Sequence, residues 1–555
     1  MKKVLFILLG CLLSFNVMAQ VKAISGLVTD VTGEPVIGAS VVEVGTTNGV
    51  ITDLNGKFSL KVAPNSQFLV SYIGYKQQTI KVGSESTYNI VLKEDAEVLD
   101  EVVVVGYGSQ KKVNVTGAVG MVGAEALEAR PVANASQALQ GVVPGLNLTV
   151  GNNGGALDGT LNMNIRGAGT IGDGSGSSPL VLIDGIEGDL NTVNPNDIES
   201  VSVLKDAASA SIYGARASFG VILVTTKSGK SGKTNVSYSG SARFSDAIGV
   251  PDIMYSYTFA QYFNRASANK GGGDIFAPAV MERIKAYQEG TLKATTVDNG
   301  AGIWQKWANA NGDTDWFEEF YDHWAPSQEH NLSINGGTDK TQYLISGSFL
   351  DQKGLMRHGK DKFQRYTLNG KITTAVTDWF KVTYSTKWTR EDFERPSYLT
   401  GNFFHNLARK WPVHPAYDPN GFPMDEGEVE QMENGGKQNS QKDFYTNQLQ
   451  LVFEPIKNWK INLDGSVRTT TQYQHWEVLS VYAYNVAGDP YYTVWDMGYG
   501  SYAAGSSRVN EYSWKENYYT TNIYSDYFKQ FDNGQYFPML ILSSGTYTTV
   551  KIDFP

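Results

Sequence analysis

Cysteine is almost absent from this chain: Cys11 is the only one among 555 residues. It lies in a segment typical of a secretory signal, in which two lysines precede the apolar stretch 4–15 and small residues end at Ala19. We therefore predict a signal peptide over residues 1–19, cleaved between Ala19 and Gln20. A plain signal is favoured over lipidation at Cys11 because the apolar run continues past it. The mature chain then has no disulfide and no thiol chemistry.

Long apolar runs and basic clusters are also missing. No run of 18 apolar residues follows the signal segment, so a membrane could be crossed only by strands. Lys and Arg number 46 against 56 Asp and Glu, a net charge of −10, and the basic residues form no block. Because phosphate binding needs clustered Lys and Arg, no nucleic-acid partner is expected.

Catalytic and metal-binding motifs are not found. The histidines show no His-Glu-x-x-His spacing, so a metallopeptidase is unsupported. The Gly-rich run from Gly167 lacks the following helix and acidic residue of a dinucleotide site. Asp184-Gly185 and Asp197 are explained by turn formation. We predict no catalytic residue, no metal site and no cofactor, and hence no enzyme.

What the chain does have is alternation of apolar and polar residues along segments of its second half. The segments 365–372, 380–388 and 459–468 each have one apolar and one polar face, as strands do. Their connections alternate too. Gly336–Lys340, Ala375–Trp379 and Glu454–Asn458 are tight turns, whereas 247–327, 351–362 and 393–442 are longer loops. Short turns at one end and long loops at the other are typical of an outer-membrane barrel.

Two further regions precede these strands. Short alternating runs separated by Asn-Gly and Gly-Glu-Pro turns predict a small β-sandwich over 21–95. Residues 113–229 predict a compact mixed α/β domain, with helices at Ser136–Gln140 and Ala207–Tyr213. Its predicted strands are Asn162–Arg166, Leu180–Ile183, Ile198–Leu204 and Val221–Thr226. Aromatic residues mark the next boundary, since only 10 of 66 occur before residue 231.

The linker 96–112 contains four consecutive valines, 102–105. One interpretation is a buried strand of the following domain. The other is a segment that adds a strand to a partner protein. The position after an acidic stretch and before a Gly-rich domain favours the second.

Several motifs carry a family resemblance, in order along the chain. They are Asp100–Lys112 (DEVVVVGYGSQKK), Leu139–Leu146 (LQGVVPGL), Asn164–Gly167 (NIRG), Pro179–Gly185 (PLVLIDG), Asn194–Ala207 (NPNDIESVSVLKDA) and Ile212–Gly229 (IYGARASFGVILVTTKSG). Together they resemble the SusC/RagA-type TonB-dependent outer-membrane transporters over about residues 24–245. Residues 21–95 resemble the carboxypeptidase regulatory-like (transthyretin-like) domain, an accessory module. The expected fold is mainly β: a transthyretin-like sandwich, a mixed α/β plug and the first part of an antiparallel transmembrane β-barrel.

The resemblance implies a nutrient importer whose plug fills a 22-stranded barrel. Its implied partners are TonB with ExbB and ExbD, a SusD-like surface lipoprotein, outer-membrane lipids, and an oligosaccharide or peptide ligand. The implied location is the outer membrane, with plug and N-terminal domain facing the periplasm. The TonB box comprises Glu101, Val102, Val103, Val104, Val105, Gly106 and Tyr107. The plug motif residues are Arg166, Gly167, Asp184, Gly185, Lys205, Asp206, Tyr213, Gly214 and Arg216, and we expect Arg166 and Arg216 to pair with acidic residues of the barrel wall.

The barrel region, 230–537, is too short for such a wall, and we expect an N-terminal portion that forms no stable pore alone. After Phe537 the resemblance stops, so 538–555 is interpreted as an aberrant tail, from an altered reading frame or a premature end. Transport with oligosaccharide as the favoured ligand is the leading hypothesis. A surface-binding or adhesion barrel, an enzyme on the β domain and a non-functional truncated product are the alternatives.

Overall fold

The computed structural model describes most of the chain after residue 21. The described residues are 22–46, 48–64, 66–72, 75–93, 102–105, 108–111, 118–130, 132–150, 157, 161–167, 178–493, 495–496, 501–502, 506–530, 536–548 and 552–554. The predicted signal peptide lies outside them. The chain divides into two compact units: residues 1–104 with 109–116, and residues 105–108 with 117–555.

The first unit contains a β-sandwich. Its strands are β1 (Lys22–Thr29), β2 (Ser40–Glu43), β3 (Gly49–Ile51), β4 (Lys57–Val62), β5 (Gln67–Ser71), β6 (Gln78–Lys81) and β7 (Thr87–Val91). They form one sheet in the order β4-β1-β7 and another in the order β3-β2-β5-β6. Alternate residues point inward, so Phe58, Leu60 and Val62 of β4 are buried while their neighbours are exposed. The predicted sandwich is confirmed, with β3 and β6 as strands that the sequence did not predict.

The valine run forms strand β8 (Val102–Val105), which pairs with β9 (Gly108–Lys111) as a sheet of two strands. Neither strand belongs to the sandwich sheets or to the sheet of the next domain. The interpretation of residues 102–105 as a strand of the following domain's sheet is therefore wrong, because their backbone pairs only with β9 in the described part of the chain. Glu101, Gly106 and Tyr107 lie outside the described residues.

The plug comprises a five-stranded sheet with short helices. Its strands are β10 (Val119–Gly123), β11 (Leu146–Val150), β12 (Leu161–Ile165), β13 (Leu180–Ile183), β14 (Ile186–Glu187), β15 (Ile198–Leu204) and β16 (Val221–Thr226). Its helices are α1 (Ala124–Glu128), α2 (Ala135–Leu139) and α3 (Ala207–Ala210), with 3-10 turns at Leu190–Thr192, Pro195–Asp197 and Ser211–Ala217. The main sheet has the order β10-β15-β16-β13-β14, and β11 pairs with β12. Leu127, Leu139, Val201 and Ile222 lie in its core.

The predicted plug strands and helix α2 are present within a residue. The helix predicted over Ala207–Tyr213 is α3 for four residues and then continues as the 3-10 turn Ser211–Ala217. Helix α2 begins where Asn134 caps it, its side chain accepting a hydrogen bond from the Gln137 amide at 2.9 Å. Strands β10 and β11 and helix α1 were not predicted, because glycine and short length leave them little periodicity.

A long antiparallel sheet, here called the wall sheet, forms most of the rest. Its strands are β17 (Gly232–Ser245), β18 (Ala325–Gly337), β19 (Thr341–Lys353), β20 (Lys362–Thr377), β21 (Phe380–Pro396), β22 (Lys437–Ile456), β23 (Trp459–Val478), β28 (Arg508–Gln530), β29 (Tyr536–Thr548) and β30 (Ile552–Phe554). Between β23 and β28 lie two short hairpins, β24 (Tyr482–Tyr484) with β25 (Pro490–Tyr492), and β26 (Trp495–Asp496) with β27 (Ser501–Tyr502). Each long strand pairs with the next along the chain, and β30 pairs with β28. The predicted partial barrel wall is confirmed.

Connections in the wall sheet alternate in length. The turns 338–340, 378–379 and 457–458 join strands at one end, while 246–324, 354–361, 397–436 and 479–507 join them at the other. The four long connections carry 20 acidic and 10 basic residues, so the chain's whole net charge of −10 resides in them.

The two faces of the wall sheet differ in polarity. On the face away from the plug, an apolar band runs along β20 from Tyr366 to Val376 and along β21 from Phe380 to Trp388. At about 3.3 Å per residue and about 40° of tilt, this band is roughly 20–25 Å tall, which matches a bilayer's hydrocarbon layer. Beyond Trp388 the same face continues with three polar rows, so the strands are longer than the band.

The predicted boundary at residue 537, between the barrel region and an aberrant tail over 538–555, does not match the strand pairing. Residues 536–548 form β29, which pairs with β28 and places Pro538 opposite Phe528. The sheet therefore does not end at residue 537. Among the strands that the structure describes, β29 lies at the edge of the wall sheet, where a missing amide donor is tolerated.

The long connections were predicted as loops, but they contain helices. These are α4 (Ser256–Asn269), α5 (Pro278–Gln288), α6 (Trp316–Phe320), α7 (Gly401–Leu407) and α8 (Val429–Asn434), with a 3-10 turn at Trp307–Asn309. Two buried clusters hold them together, one around Trp316, Phe320 and Phe403 and one around Phe276 and Val413. We call these connected segments the long-connection module. Within the described part of the chain, no helix is long and apolar enough to cross a membrane.

Candidate functional site

The plug lies against the polar inner face of the wall sheet, where polar contacts join the two. Alternation along β20 and β21 directs every second side chain toward the plug, including those of Arg365, Asn369 and Lys387. These contacts decide how firmly the plug is held. The plug–wall interface is therefore the site whose geometry bears most directly on function.

Asp184 is the centre of one anchoring point. It follows β13 in the left-handed region (φ 51°), and Gly185 continues the turn at φ 86°. Its carboxylate accepts hydrogen bonds from the amide (2.9 Å) and hydroxyl (2.6 Å) of Thr226, and it forms an ion pair with Lys387 of β21. Burial alone would raise the pKa of Asp184, but Lys387, a second lysine and these hydrogen bonds hold it well below the usual range. The carboxylate is therefore charged and paired.

The same turn also contacts the next two wall strands. Gln448 of β22 donates its side-chain amide to the carbonyl oxygen of Asp184 at 3.0 Å and to the carboxylate of Asp464 at 2.8 Å. Asp464 lies on β23, close to Gly185. A single plug turn is thus bonded to β21 and β22, with Asp464 of β23 beside it.

Arg365 makes the second anchoring point. Its side chain is among the largest that are fully buried, and it donates to the carbonyl oxygens of Ala133 (2.6 Å) and Asn191 (2.9 Å) in the plug. Because a buried guanidinium costs several kcal/mol unless its donors are satisfied, these carbonyls and the surrounding acidic groups fix its place.

Uncharged side chains complete the anchoring around Asp197. Its carboxylate accepts hydrogen bonds from Ser346 and Asn369 of the wall, each at 2.7 Å. Burial raises the pKa of Asp197, with the Ser346 hydrogen bond and nearby cations opposing the rise. Asn194 and Asn331 form a further plug–wall hydrogen bond at 2.5 Å.

Arg216 was expected to pair with an acidic residue of the wall, and the structure shows an acidic partner within the plug. Arg216 pairs with Glu187 at 3.1 Å, and Glu187 belongs to the plug's own strand β14. The wall contributes the hydroxyl of Tyr518, 3.3 Å from the Arg216 guanidinium, and Arg468, which donates to the Glu187 carbonyl and lies over the Tyr518 ring. At Asp184 and Arg365 the polarity is the reverse of the expectation, since the wall supplies the cations and the plug supplies anions and carbonyls.

The other plug motif residues form a second group. Gly167, Lys205, Asp206 and Gly214 line a plug cavity of about 410 Å³. Arg166, in the left-handed region at φ 60°, precedes Gly167, and its charge helps to lower the pKa of Asp206. Tyr213, which directly precedes Gly214, is buried.

Asp206 holds the point at which the chain enters the plug. Its carboxylate accepts from the Ala118 amide at 2.6 Å and from the Ser209 amide at 2.8 Å. The hydrogen bonds from Ser209 and then Ala118 lower the pKa of Asp206 to about 2. The backbone at Ala118 is therefore fixed to the rest of the plug through this carboxylate.

Space for water remains beside the anchoring contacts. A cavity of about 70 Å³ is lined by Ile183, Asn194, Asp197, Thr226, Leu344 and Lys387, among others. One water needs roughly 10–15 Å³ on such a measure, so several fit. The interface therefore combines polar contacts with a space large enough for water.

Comparisons with known proteins agree with this architecture. The plug residues 111–221 match the TonB-dependent Receptor Plug Domain, and residues 24–104 match the CarboxypepD_reg-like domain. TonB-dependent receptor SusC of Bacteroides thetaiotaomicron is 35% identical over 66% of this chain and 33% of its own length. The chain belongs to the SusC/RagA-type TonB-dependent receptors. TonB-dependent receptor P39 of Formosa agariphila, a second relative, is 32% identical over 73% of this chain and 36% of its own length.

Solved structures show the same fold. The RagAB peptide importer in its open-open state superposes with a TM-score of 0.59 at 24% identity, over 78% of this chain and 47% of that chain. The chain spans about a third of the length of the curated SusC-type relatives that it matches. Those relatives are receptors and transporters rather than enzymes.

Sequence reasoning found Asp184 and Gly185 as a motif but explained them as a turn, and it missed Arg365, Lys387 and Gln448. A usable signal was present: long polar side chains recur on the wall face that also carries serine and threonine. The role of the TonB box and the functional roles of the plug motifs stay predictions.

Proposed function

We propose that this SusC/RagA-type chain is part of a TonB-driven importer that carries a nutrient across the outer membrane, with the plug as its gate. The observation that carries the proposal is the way the plug is held. A few polar and ionic contacts, centred on Asp184 and Arg365, anchor it beside a cavity large enough for water. Polar contacts can be exchanged for water, so the plug can shift without exposing a large apolar core.

The energy source in this proposal is TonB with ExbB and ExbD, acting through the valine strand 102–105. A strand adds to a partner sheet through main-chain hydrogen bonds, so β-propensity matters more than any one side chain. The pull would reach the plug at Ala118, whose amide Asp206 accepts. The N-terminal domain and plug then face the periplasm, and the long connections face outward.

The ligand in this proposal is an oligosaccharide in preference to a peptide, enclosed with a SusD-like lipoprotein partner. The long connections carry the chain's entire net charge of −10, which disfavours polyanionic ligands and suits neutral or cationic ones. Exposed Tyr482 and Tyr492 pair on the β24–β25 hairpin and could stack on a sugar ring.

The test uses the complete transporter in cells, with uptake and surface binding of candidate glycans measured separately. Deleting Glu101–Val105 should abolish energy-dependent uptake and leave binding intact. Val103→Pro should act like the deletion because it blocks main-chain pairing, whereas Val103→Thr should transport normally. Uptake that survives the deletion contradicts the proposal. Binding without any uptake in the unmodified protein would favour a surface-binding or adhesion barrel.

A further inference from the structure

His358 joins three different connections of the wall sheet. It lies in the segment 354–361 between β19 and β20, and its side chain is only 7% exposed. Its Nδ1 is 2.7 Å from a carboxylate oxygen of Glu433 in α8, and its Nε2 is 2.9 Å from a carboxylate oxygen of Glu319 in α6. The ring thus bridges the segments 246–324 and 397–436.

The arrangement requires a protonated ring. A neutral imidazole has one N–H donor, but both nitrogens of His358 face carboxylate oxygens, which accept only. The imidazolium form donates to both. Burial of the ring lowers the pKa of His358, but its hydrogen bonds to Glu319 and Glu433 outweigh burial, and the pKa is raised.

The surrounding groups support the same charge state. Tyr417 donates its hydroxyl to the Glu319 oxygen that His358 contacts, at 2.9 Å. Arg357 lies close enough to act on the charge of Glu319, and Glu430 adds negative charge beside Glu433. The ring of Phe320 meets that of His358 edge-on with centroids 5.5 Å apart. Two carboxylates therefore face the ring, and a third carboxylate and one other cation lie close to them.

We propose that His358, as an imidazolium bridging Glu319 and Glu433, is a pH-dependent tie that holds the long-connection module closed. When the ring loses its proton, one of the two contacts loses its donor and the carboxylates repel each other across the gap. The segments 246–324, 354–361 and 397–436 then separate more readily. This device is independent of the proposed transport.

The direction of the pH effect follows from the raised pKa. The tie stabilises the closed module fully below the pKa of the free ring, about 6.5, and the stabilisation is lost as the pH rises through the higher pKa of the tied ring. Each pH unit between the two values corresponds to about a tenfold change in the opening equilibrium.

The pH-dependent tie can be tested by hydrogen exchange of the full chain. Exchange is followed by mass spectrometry from pH 6 to 9 and corrected for the intrinsic pH dependence of exchange. Protection of peptides over 354–361 and α8 should fall several-fold more than that of β15 in the plug core, which lies outside the module and serves as an internal reference. His358→Gln should show low protection that is flat with pH. His405→Gln, at an exposed histidine of the same module, should behave like the unmodified chain.

Two results would overturn the proposal. One is protection around His358 in the unmodified chain that follows that of β15 at every pH. The other is an unchanged pH dependence in His358→Gln. If that variant does not fold, Glu433→Gln provides the second comparison, and it should reduce the pH-dependent fall in protection.

Discussion

The ion pair between Asp184 and Lys387 gives the sharpest prediction about how the plug is held. Asp184→Asn keeps the size of the side chain and removes its charge, so Lys387 loses the carboxylate that it contacts. Removing one partner of a buried pair costs about 3–5 kcal/mol. Because the Lys387 side chain keeps 22% exposure, we expect the lower end, about 3 kcal/mol, in the free energy of plug opening.

Lys387→Met should cost less, since Asp184 retains both hydrogen bonds from Thr226. The double variant should recover part of the loss, giving a coupling energy of about 1–3 kcal/mol in a double-mutant cycle. A matched control is Asp351→Asn on the outward face, where the pair with Lys362 is more exposed and should be worth less than about 1 kcal/mol.

Hydrogen exchange of β13 and β16 in the full chain measures the opening free energy, with β1–β7 as an internal reference. A coupling energy below about 0.5 kcal/mol, or an equal effect of Asp351→Asn, would refute the view that this pair anchors the plug.

Further predictions concern other sites. Arg365→Met should loosen the plug by about 2–4 kcal/mol, because two buried carbonyls lose their charged donor; unchanged exchange in β10–β16 would contradict this. Gly359→Ala should destabilise the long-connection module far more than Gly300→Ala. Both glycines have positive φ, but a Cβ at residue 359 would lie 2.3 Å from a carbon of Pro396, whereas a Cβ at residue 300 would meet no atom within 4 Å. Burial lowers the pKa of His414 to about 3, so thermal unfolding should show the module losing roughly 1.4 kcal/mol per pH unit below about pH 6.5; in His414→Phe this acid limb should disappear.

The sequence predicted the wall strands and plug strands well because their signal is local. Alternation with period two fixes which residues of β21 face the plug, whatever lies opposite. Helix α4 carried a comparable local signal, since Phe259 and Phe263 are one turn apart and pack together with centroids at 4.4 Å. It was missed because the long connection was interpreted only by its position between strands.

The pairing of charges could not be predicted in the same way. Arg216 had acidic candidates on many strands, and only the register that brings Glu187 beside it decides the partner. Similarly, Arg365 binds carbonyls of the plug, which every residue possesses and no sequence pattern marks. Such contacts depend on how a folded plug fits a folded sheet.

The length of the wall strands has a consequence for where the long connections lie. On β21, Arg390, Asp392 and Glu394 continue the outward face beyond Trp388. Arg390 forms an ion pair with Asp443, which lies opposite it on β22. At about 3.3 Å per residue and about 40° of tilt, these rows add roughly 15 Å. In a bilayer centred on the apolar band, the lipid headgroups therefore lie beside these polar rows. The acidic connections then lie beyond the headgroup layer, where a large hydrated molecule can reach them without displacing lipid.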